Sequence, residues 1–152
     1  QANDLVGRKT MRDGGQTAKA IARQIEVTEA ELTRQGSPDA LAVAKRLKAA
    51  REAFVDVVNF VASNTKTSPN AVFAGSVPYL MLAGNVVAGW QMGRSLLVAQ
   101  EQLAQVVDAA FMQAKITTAR FYADHLLTKV PGMRDSIVEG ADCVTALALE
   151  AF

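Results

Sequence analysis

Residues 71–93, AVFAGSVPYLMLAGNVVAGWQMG, carry no charged side chain and decide how the rest of the chain can fold. Their length matches a membrane-spanning helix of about 20 residues, but Ser76, Pro78, Asn85 and Gln91 dilute the hydrophobicity. The neighbouring segments are amphipathic and need an apolar partner, and the four glycines of the stretch permit close packing of helices. We therefore predict the central apolar helix of a bundle and no membrane span, with Pro78 kinking this helix or splitting off its first turns.

Two helices are predicted before this stretch, because apolar residues recur at the helical period and capping residues mark the boundaries. The first covers about 17–34 and is stopped by Gly36. The second begins with Ser37 and Pro38, a good N-cap followed by a residue suited to the first helical position, and continues to about Asn64.

Two helices are predicted after the apolar stretch. The fourth helix begins near 105–108, where Asp108 is the candidate N-cap, and ends by Lys129. Its expected apolar face consists of Phe111, Ala114, Thr118 and Phe121. Pro131 and Gly132 open the fifth helix. Its expected apolar face consists of Ile137, Ala141, Val144 and Ala148.

These patterns predict an all-α fold, an antiparallel helical bundle of about five helices with a central, Pro-kinked apolar helix. We assign residues 17–152 to this bundle domain. Residues 1–16 show no clear helix start and are interpreted as a lead-in from an upstream part of a longer polypeptide.

Composition excludes several classes of protein. The 152 residues fit one domain, and half of them are apolar, which is enough for a sizeable core. The net charge of +1 and the lack of a long basic run argue against nucleic acid as a partner. Cys143 is the only cysteine, so no intrachain disulfide forms, in keeping with a reducing, cytoplasmic compartment; we expect a buried, inert thiol.

The sequence offers no catalytic, cofactor-binding or metal-binding constellation. A di-iron bundle needs two Glu-x-x-His pairs, whereas this chain has one histidine and no such pair. There is also no Gly-x-Ser-x-Gly elbow, no Gly-x-Gly-x-x-Gly loop and no P-loop. We therefore expect no catalytic residue, no bound cofactor and no metal within this chain.

Five residues are candidates for a domain or subunit interface: Tyr79, Trp90, Arg94, Tyr122 and His125. The three aromatic residues are alternatively core anchors with polar tips. Arg94 ends the uncharged run four residues after Trp90, so it either covers apolar surface with its stem or faces another domain or subunit. His125 follows Phe121 by four residues and is alternatively a core or helix-end histidine.

Four stretches together resemble the C-terminal part of the large type of acyl-CoA dehydrogenase. They are QANDLVGRKTMRDGG at 1–15, YLMLAGNVVAGWQMGR at 79–94, KITTARFYADHLL at 115–127 and IVEG at 137–140. No single motif among them is strong, but their order and spacing are specific.

The resemblance implies a parent enzyme that depends on FAD and removes two hydrogens across the α–β bond of an acyl-CoA thioester. The catalytic glutamate and the main FAD site would lie upstream of residue 1, and an electron-transfer flavoprotein would reoxidise the flavin. Within such an enzyme, the bundle would pack against the upstream dehydrogenase core or a homo-oligomer mate, and it would act in assembly or shape the acyl or CoA entrance. The alternative is a free-standing helical module without catalytic activity that self-associates through its Gly-rich third helix.

Overall fold

In the computed structural model, which describes residues 1–144 and 146–151, every regular element is a helix and no described residue lies in a strand. The α-helices, in chain order, are α1 (Ala2–Asp4), α2 (Gln16–Gln35), α3 (Pro38–Asn64), α4 (Pro69–Ala74), α5 (Ser76–Ala104), α6 (Ala109–His125), α7 (Val130–Val138) and α8 (Ala141–Val144). A π-helix at Leu5–Thr10 and 3-10 turns at Met11–Asp13, Leu127–Lys129 and Leu149–Ala151 complete the set. The predicted all-α helical bundle is confirmed.

The α2–α3 hairpin forms where the capping residues predict it. Gly36 ends α2 in the left-handed region with φ 78°, and its N–H bonds to the Leu32 carbonyl at 3.2 Å. A residue with a Cβ would be strained in that conformation. Ser37 then caps α3, because its Oγ accepts a hydrogen bond of 3.2 Å from the Ala40 N–H. Both predicted helices are therefore confirmed to within a residue or two at their ends.

The uncharged stretch divides at Gly75, as the position of Pro78 predicts. Pro78 lies in the first turn of α5, where a missing N–H leaves no intrahelical hydrogen bond unmade. Gly75 also lets α7 approach, since a Cβ at this position would lie 2.9 Å from the Ile137 side chain. The first turns of the stretch are consequently a separate short helix, α4, and α5 continues well beyond the stretch to Ala104.

Helix α5 is central because two of its glycines let other elements pack against it. A Cβ at Gly89 would lie 2.6 Å from the Leu127 side chain, and one at Gly93 would lie 3.1 Å from the Leu32 side chain. The opposite stripe of α5 remains exposed, with Val77 at 61% and Met81 at 56%. The helix is thus packed on several sides, as predicted, but it also presents an apolar stripe to solvent.

Helix α6 presents its bulky apolar residues outward, contrary to the predicted face. Phe111 is 51% exposed and Phe121 is 57% exposed, whereas Ala119 and Ala123 are buried. The small alanines face inward because α6 lies close to both α3 and α5, and such close contact leaves no room for a phenyl ring. The two phenylalanines do lie on one face of the helix, but that face is on the outer surface of the bundle.

The chain after α7 also departs from the prediction. Helix α7 ends at Val138, where the N–H groups of Glu139 and Gly140 both bond to the Asp135 carbonyl. Because the helix stops there, Val144 is 65% exposed instead of continuing a buried face. Cys143 is exposed, so the expectation of a buried thiol is wrong. The lead-in is also helical from Ala2 onward, and Val6 belongs to the core.

Candidate functional site

The outward side of the α5–α6 pair contains a shallow groove whose charged lining residues are both cations, Arg94 and Lys115. It is lined chiefly by Gln91, Ser95 and Val98 of α5 and by Phe111 and Lys115 of α6. The Lys115 ammonium lies 5.0 Å from the centroid of the Phe111 ring. Val98 and Phe111 are both more than half exposed, which is unusual for large apolar residues on adjacent helices. We call this surface the α5–α6 groove.

Arg94 lies at the edge of the α5–α6 groove and covers the Trp90 ring. Its guanidinium carbon is 5.7 Å from the ring centroid, and it donates a hydrogen bond of 3.1 Å to the Gln91 side chain. No carboxylate in the described part of the chain forms an ion pair with it. An exposed arginine stacked on tryptophan is suited to contact a carboxylate or a carbonyl of another surface.

Trp90 and Tyr122 tie neighbouring helices together from half-buried positions. The Trp90 indole N–H donates a hydrogen bond of 2.9 Å to the Thr28 hydroxyl on α2. The Tyr122 hydroxyl donates to the Asn85 carbonyl of α5 at 3.3 Å, and burial raises the pKa of Tyr122. The Trp90 hydrogen bond joins α5 to α2, and the Tyr122 hydrogen bond joins α6 to α5.

Tyr79 is a core residue, in agreement with the alternative interpretation of a core anchor with a polar tip. It is 1% exposed, its hydroxyl lies 2.8 Å from that of the buried Thr10, and its ring stacks on Phe54. Burial raises the pKa of Tyr79, and the hydrogen bond with Thr10 opposes that shift in part. Any interface role of Tyr79 would therefore act through Thr10 and the N-terminal segment.

His125 is an exposed helix-end residue. It is the last residue of α6, and its ring stacks on Phe121 with the two centroids 4.5 Å apart. The five candidate interface residues thus occupy three environments: the core, the contacts between helices, and the surface. Their contact with another domain or subunit stays a prediction.

A second concave site lies beneath the N-terminal segment and was missed by the sequence analysis. This N-terminal cavity has a volume of about 530 Å³. Its apolar lining residues are Leu5, Ala18, Ile21, Phe54, Tyr79, Ala83 and Val87. The side chains of Arg8, Lys9 and Arg12 also line it, and all three residues are exposed, so they lie toward its mouth. Three cations within five residues are the signal in the sequence for this site.

Charged residues on the opposite side of the bundle are paired with one another. Arg51 on α3 forms a two-pronged contact with Glu29 on α2, with distances of 2.7 and 3.0 Å. Arg120 on α6 bonds Asp124 at 2.6 Å and Asp39 at 3.2 Å, and its hydrogen bond to Asp124 lowers the pKa of that carboxyl. These pairs hold α2, α3 and α6 together.

Among residues 1–144 and 146–151, no three His, Cys, Asp or Glu side chains cluster closely enough to hold a metal ion. Over the same residues, no helix is both long and apolar enough to cross a membrane.

Comparison with known proteins identifies the family. The sequence model of the family described as "Acetyl-CoA dehydrogenase C-terminal like" matches residues 16–148, which include α2 to α8. The chain belongs to this family. The bundle is therefore a C-terminal domain of the acyl-CoA dehydrogenase type.

Two curated relatives of this C-terminal domain are much longer proteins. The 3-methylmercaptopropionyl-CoA dehydrogenase of Ruegeria pomeroyi is 43% identical over 149 residues, which cover 98% of the chain and 25% of the relative. A broad-specificity linear acyl-CoA dehydrogenase of Mycobacterium tuberculosis is 29% identical over 149 residues, covering 90% of the chain and 24% of the relative. The chain therefore spans about a quarter of the length of the curated relatives it matches.

Proposed function

We propose that this chain is the C-terminal accessory and assembly domain of an FAD-dependent acyl-CoA dehydrogenase. The parent enzyme would oxidise an acyl-CoA thioester to the 2,3-enoyl-CoA, with its catalytic glutamate and main FAD site upstream of this domain. The observation that carries the proposal is the 43% identity to a quarter of an acyl-CoA dehydrogenase over nearly the whole chain. The single, exposed cysteine is compatible with a cytoplasmic enzyme.

We assign the flavin to the upstream part, and the lining of the N-terminal cavity supports this assignment. The walls of the N-terminal cavity are largely aliphatic, and the two polar groups at its floor, the hydroxyls of Thr10 and Tyr79, bond each other. An isoalloxazine ring needs hydrogen-bond partners for its polar edge when it is enclosed by protein. No step of the reaction is therefore assigned to residues of this domain.

The α5–α6 groove supports an assembly role. Val98 and Phe111 in this groove are half-exposed, and their apolar surface is removed from water only when another surface covers it. The partners proposed for it are the upstream dehydrogenase core and a homo-oligomer mate. The acyl-CoA substrate and an electron-transfer flavoprotein would be partners of the parent enzyme and would act at the upstream core. The alternative of a free-standing self-association module would use the same outward face of α5.

The proposal is tested by comparing this chain with the longer protein that includes its upstream sequence. Flavin absorbance and acyl-CoA-dependent reduction of an artificial electron acceptor are recorded for both. We expect a yellow, active long protein and a colourless, inactive domain. A colourless and inactive long protein would refute the dehydrogenase assignment, and a domain that oxidises acyl-CoA alone would refute the accessory role.

The assembly role requires a separate measurement. The longer protein is purified with and without residues 17–152, and its mass in solution is determined by light scattering together with its flavin content. We expect the truncated protein to form smaller assemblies or to lose flavin. Unchanged mass and flavin content would show that the domain serves neither assembly nor support of the core.

A further inference from the structure

The N-terminal cavity combines an apolar interior with a cationic mouth. Phe54 and Tyr79 are buried at its floor, and Leu5, Ala18 and Ala83 are half-buried in its walls. Its volume of about 530 Å³ lies within the range of small-molecule sites. Because the Thr10 and Tyr79 hydroxyls bond each other, the interior offers a ligand apolar contact and few free polar groups.

The charges at the mouth of the N-terminal cavity favour the binding of an anion. The charged lining residues are three cations, Arg8, Lys9 and Arg12, and one carboxylate, Asp13. That carboxylate already accepts hydrogen bonds from the Gly15 N–H at 3.0 Å and the Thr17 N–H at 2.9 Å, and the Thr17 contacts lower the pKa of Asp13. The Asp13 carboxylate is therefore ionised, but its oxygens already accept hydrogen bonds from neighbouring residues.

Two of the three cations have no partner in the described chain. Arg8 pairs with Asp4 at 3.2 Å, whereas Lys9 and Arg12 form no ion pair with any described residue. Their ammonium and guanidinium groups stand on the π-helix and the 3-10 turn that follows it, beside the apolar opening. A π-helix places successive side chains differently from an α-helix and is often found at functional sites.

We propose that the N-terminal cavity binds an anionic amphiphile. The apolar chain would lie between Leu5, Ala18 and Ala83, and the carboxylate or phosphate head would contact Lys9 and Arg12. Charge-assisted hydrogen bonds to the head and burial of the chain would act together. This binding activity is additional to the assembly role and does not depend on the dehydrogenase assignment.

The test is a titration of the isotope-labelled 152-residue chain, followed by NMR, with decanoate, decyl phosphate and neutral decanol below their aggregation limits. We expect saturable binding of one anion per chain, with shifts of the Leu5, Ala18 and Ala83 amides and at least about tenfold weaker binding of decanol. Stronger binding of decyl phosphate would assign a phosphate head, and equal or stronger binding of decanoate would assign a carboxylate head.

Variants separate the head site from the chain site. Lys9→Gln and Arg12→Gln are exposed substitutions and should each weaken anion binding severalfold while leaving decanol unchanged. Lys115→Gln in the α5–α6 groove is the matched control and should change nothing. Ala83→Leu should fill the cavity and abolish binding of all three probes, with a thermal melt to verify folding. Equal affinity for decanol and the anions, or anion binding unaffected by Lys9→Gln and Arg12→Gln, would overturn the proposal.

Discussion

The α2–α3 hairpin and the α5–α6 pair are both antiparallel helix pairs, yet their outer surfaces differ. On the hairpin side, Arg51 and Glu29 pair across the two helices, and Asp39 extends the pairing to α6 through Arg120. On the other side, α5 has a single charged residue, Arg94, between Ser76 and Gln100. Its outer stripe exposes Val77, Met81 and Val98 to solvent.

The difference shows which surface is complete without a partner. Charged side chains that pair within the domain need no outside partner, so covering these pairs on the hairpin side would add little stability. Removing exposed apolar side chains from water is favourable, so contact with a partner would stabilise the α5–α6 side. The two surfaces share one core, however, so substitutions in the core and on each surface should differ in their effects on stability.

The largest effect is expected where the two pairs meet. Leu47 of α3 is fully buried, and its side chain lies 3.7 Å from where a Cβ would be at Gly93 of α5. Leu47→Ala should destabilise the domain by about 2–5 kcal/mol, because it leaves a cavity between the pairs. Urea unfolding should show one transition for both pairs. Leu41→Ala, on the same helix but 46% exposed, is the control and should cost much less.

A smaller effect is expected from unpairing one charge on the hairpin side. Glu29 is 7% exposed, so Arg51→Met would leave its carboxylate largely buried without its two-pronged partner. We expect a loss of about 1–3 kcal/mol in urea unfolding. Arg94→Met on the other side should change stability little, since Arg94 has no carboxylate partner in the described chain. Equal losses for both variants would contradict the contrast between the two surfaces.

The stability of the domain at low pH should depend on the ion pair between Arg120 and Asp124. The hydrogen bond from Arg120 holds the pKa of Asp124 below its ordinary value of 3.8. Because the pKa of Asp124 is lowered in the folded state, the carboxylate stabilises the domain fully above its ordinary pKa of 3.8. This stabilisation is lost as the pH falls through the folded-state pKa. Asp124→Asn should therefore flatten the decrease in Tm from neutral pH down to about pH 2. Asp108→Asn, at a helix start where the side chain makes no capping bond, is the control that removes a carboxylate without removing an ion pair in the described chain.

Sequence patterns predict the hairpin side well because its signals are local. Gly36, Ser37 and Pro38 act on their own backbone, so their effects do not depend on distant packing. The orientation of α6 was predicted wrongly because two stripes of that helix are apolar. Which one faces inward depends on the close approach of α3 and α5, which admits Ala119 and Ala123 but no phenylalanine.

The candidate sites required the structure for the same reason. Tyr79 and Trp90 were identified from residue type, but their partners Thr10 and Thr28 lie more than sixty residues away in sequence. The N-terminal cavity similarly joins the basic cluster at the start of the chain to Ala83 and Val87 of α5. The spacing of residues along one helix cannot predict these contacts, because the packing of α2, α3 and α5 brings together residues that are distant in sequence.

The smallest effect on stability, and the sharpest test of the contrast, comes from charging exposed valines. Val98 on α5 and Val27 on α2 are 56% and 59% exposed, so Val98→Glu and Val27→Glu should each change the stability of this domain by less than about 0.5 kcal/mol. In the longer protein the two variants should separate. Val98→Glu would bury a charge against the core or mate and reduce the assembled mass or flavin content, whereas Val27→Glu would remain in water. If Val27→Glu disrupted assembly and Val98→Glu did not, the hairpin side would be the docking surface, and the inference from paired charges would be reversed.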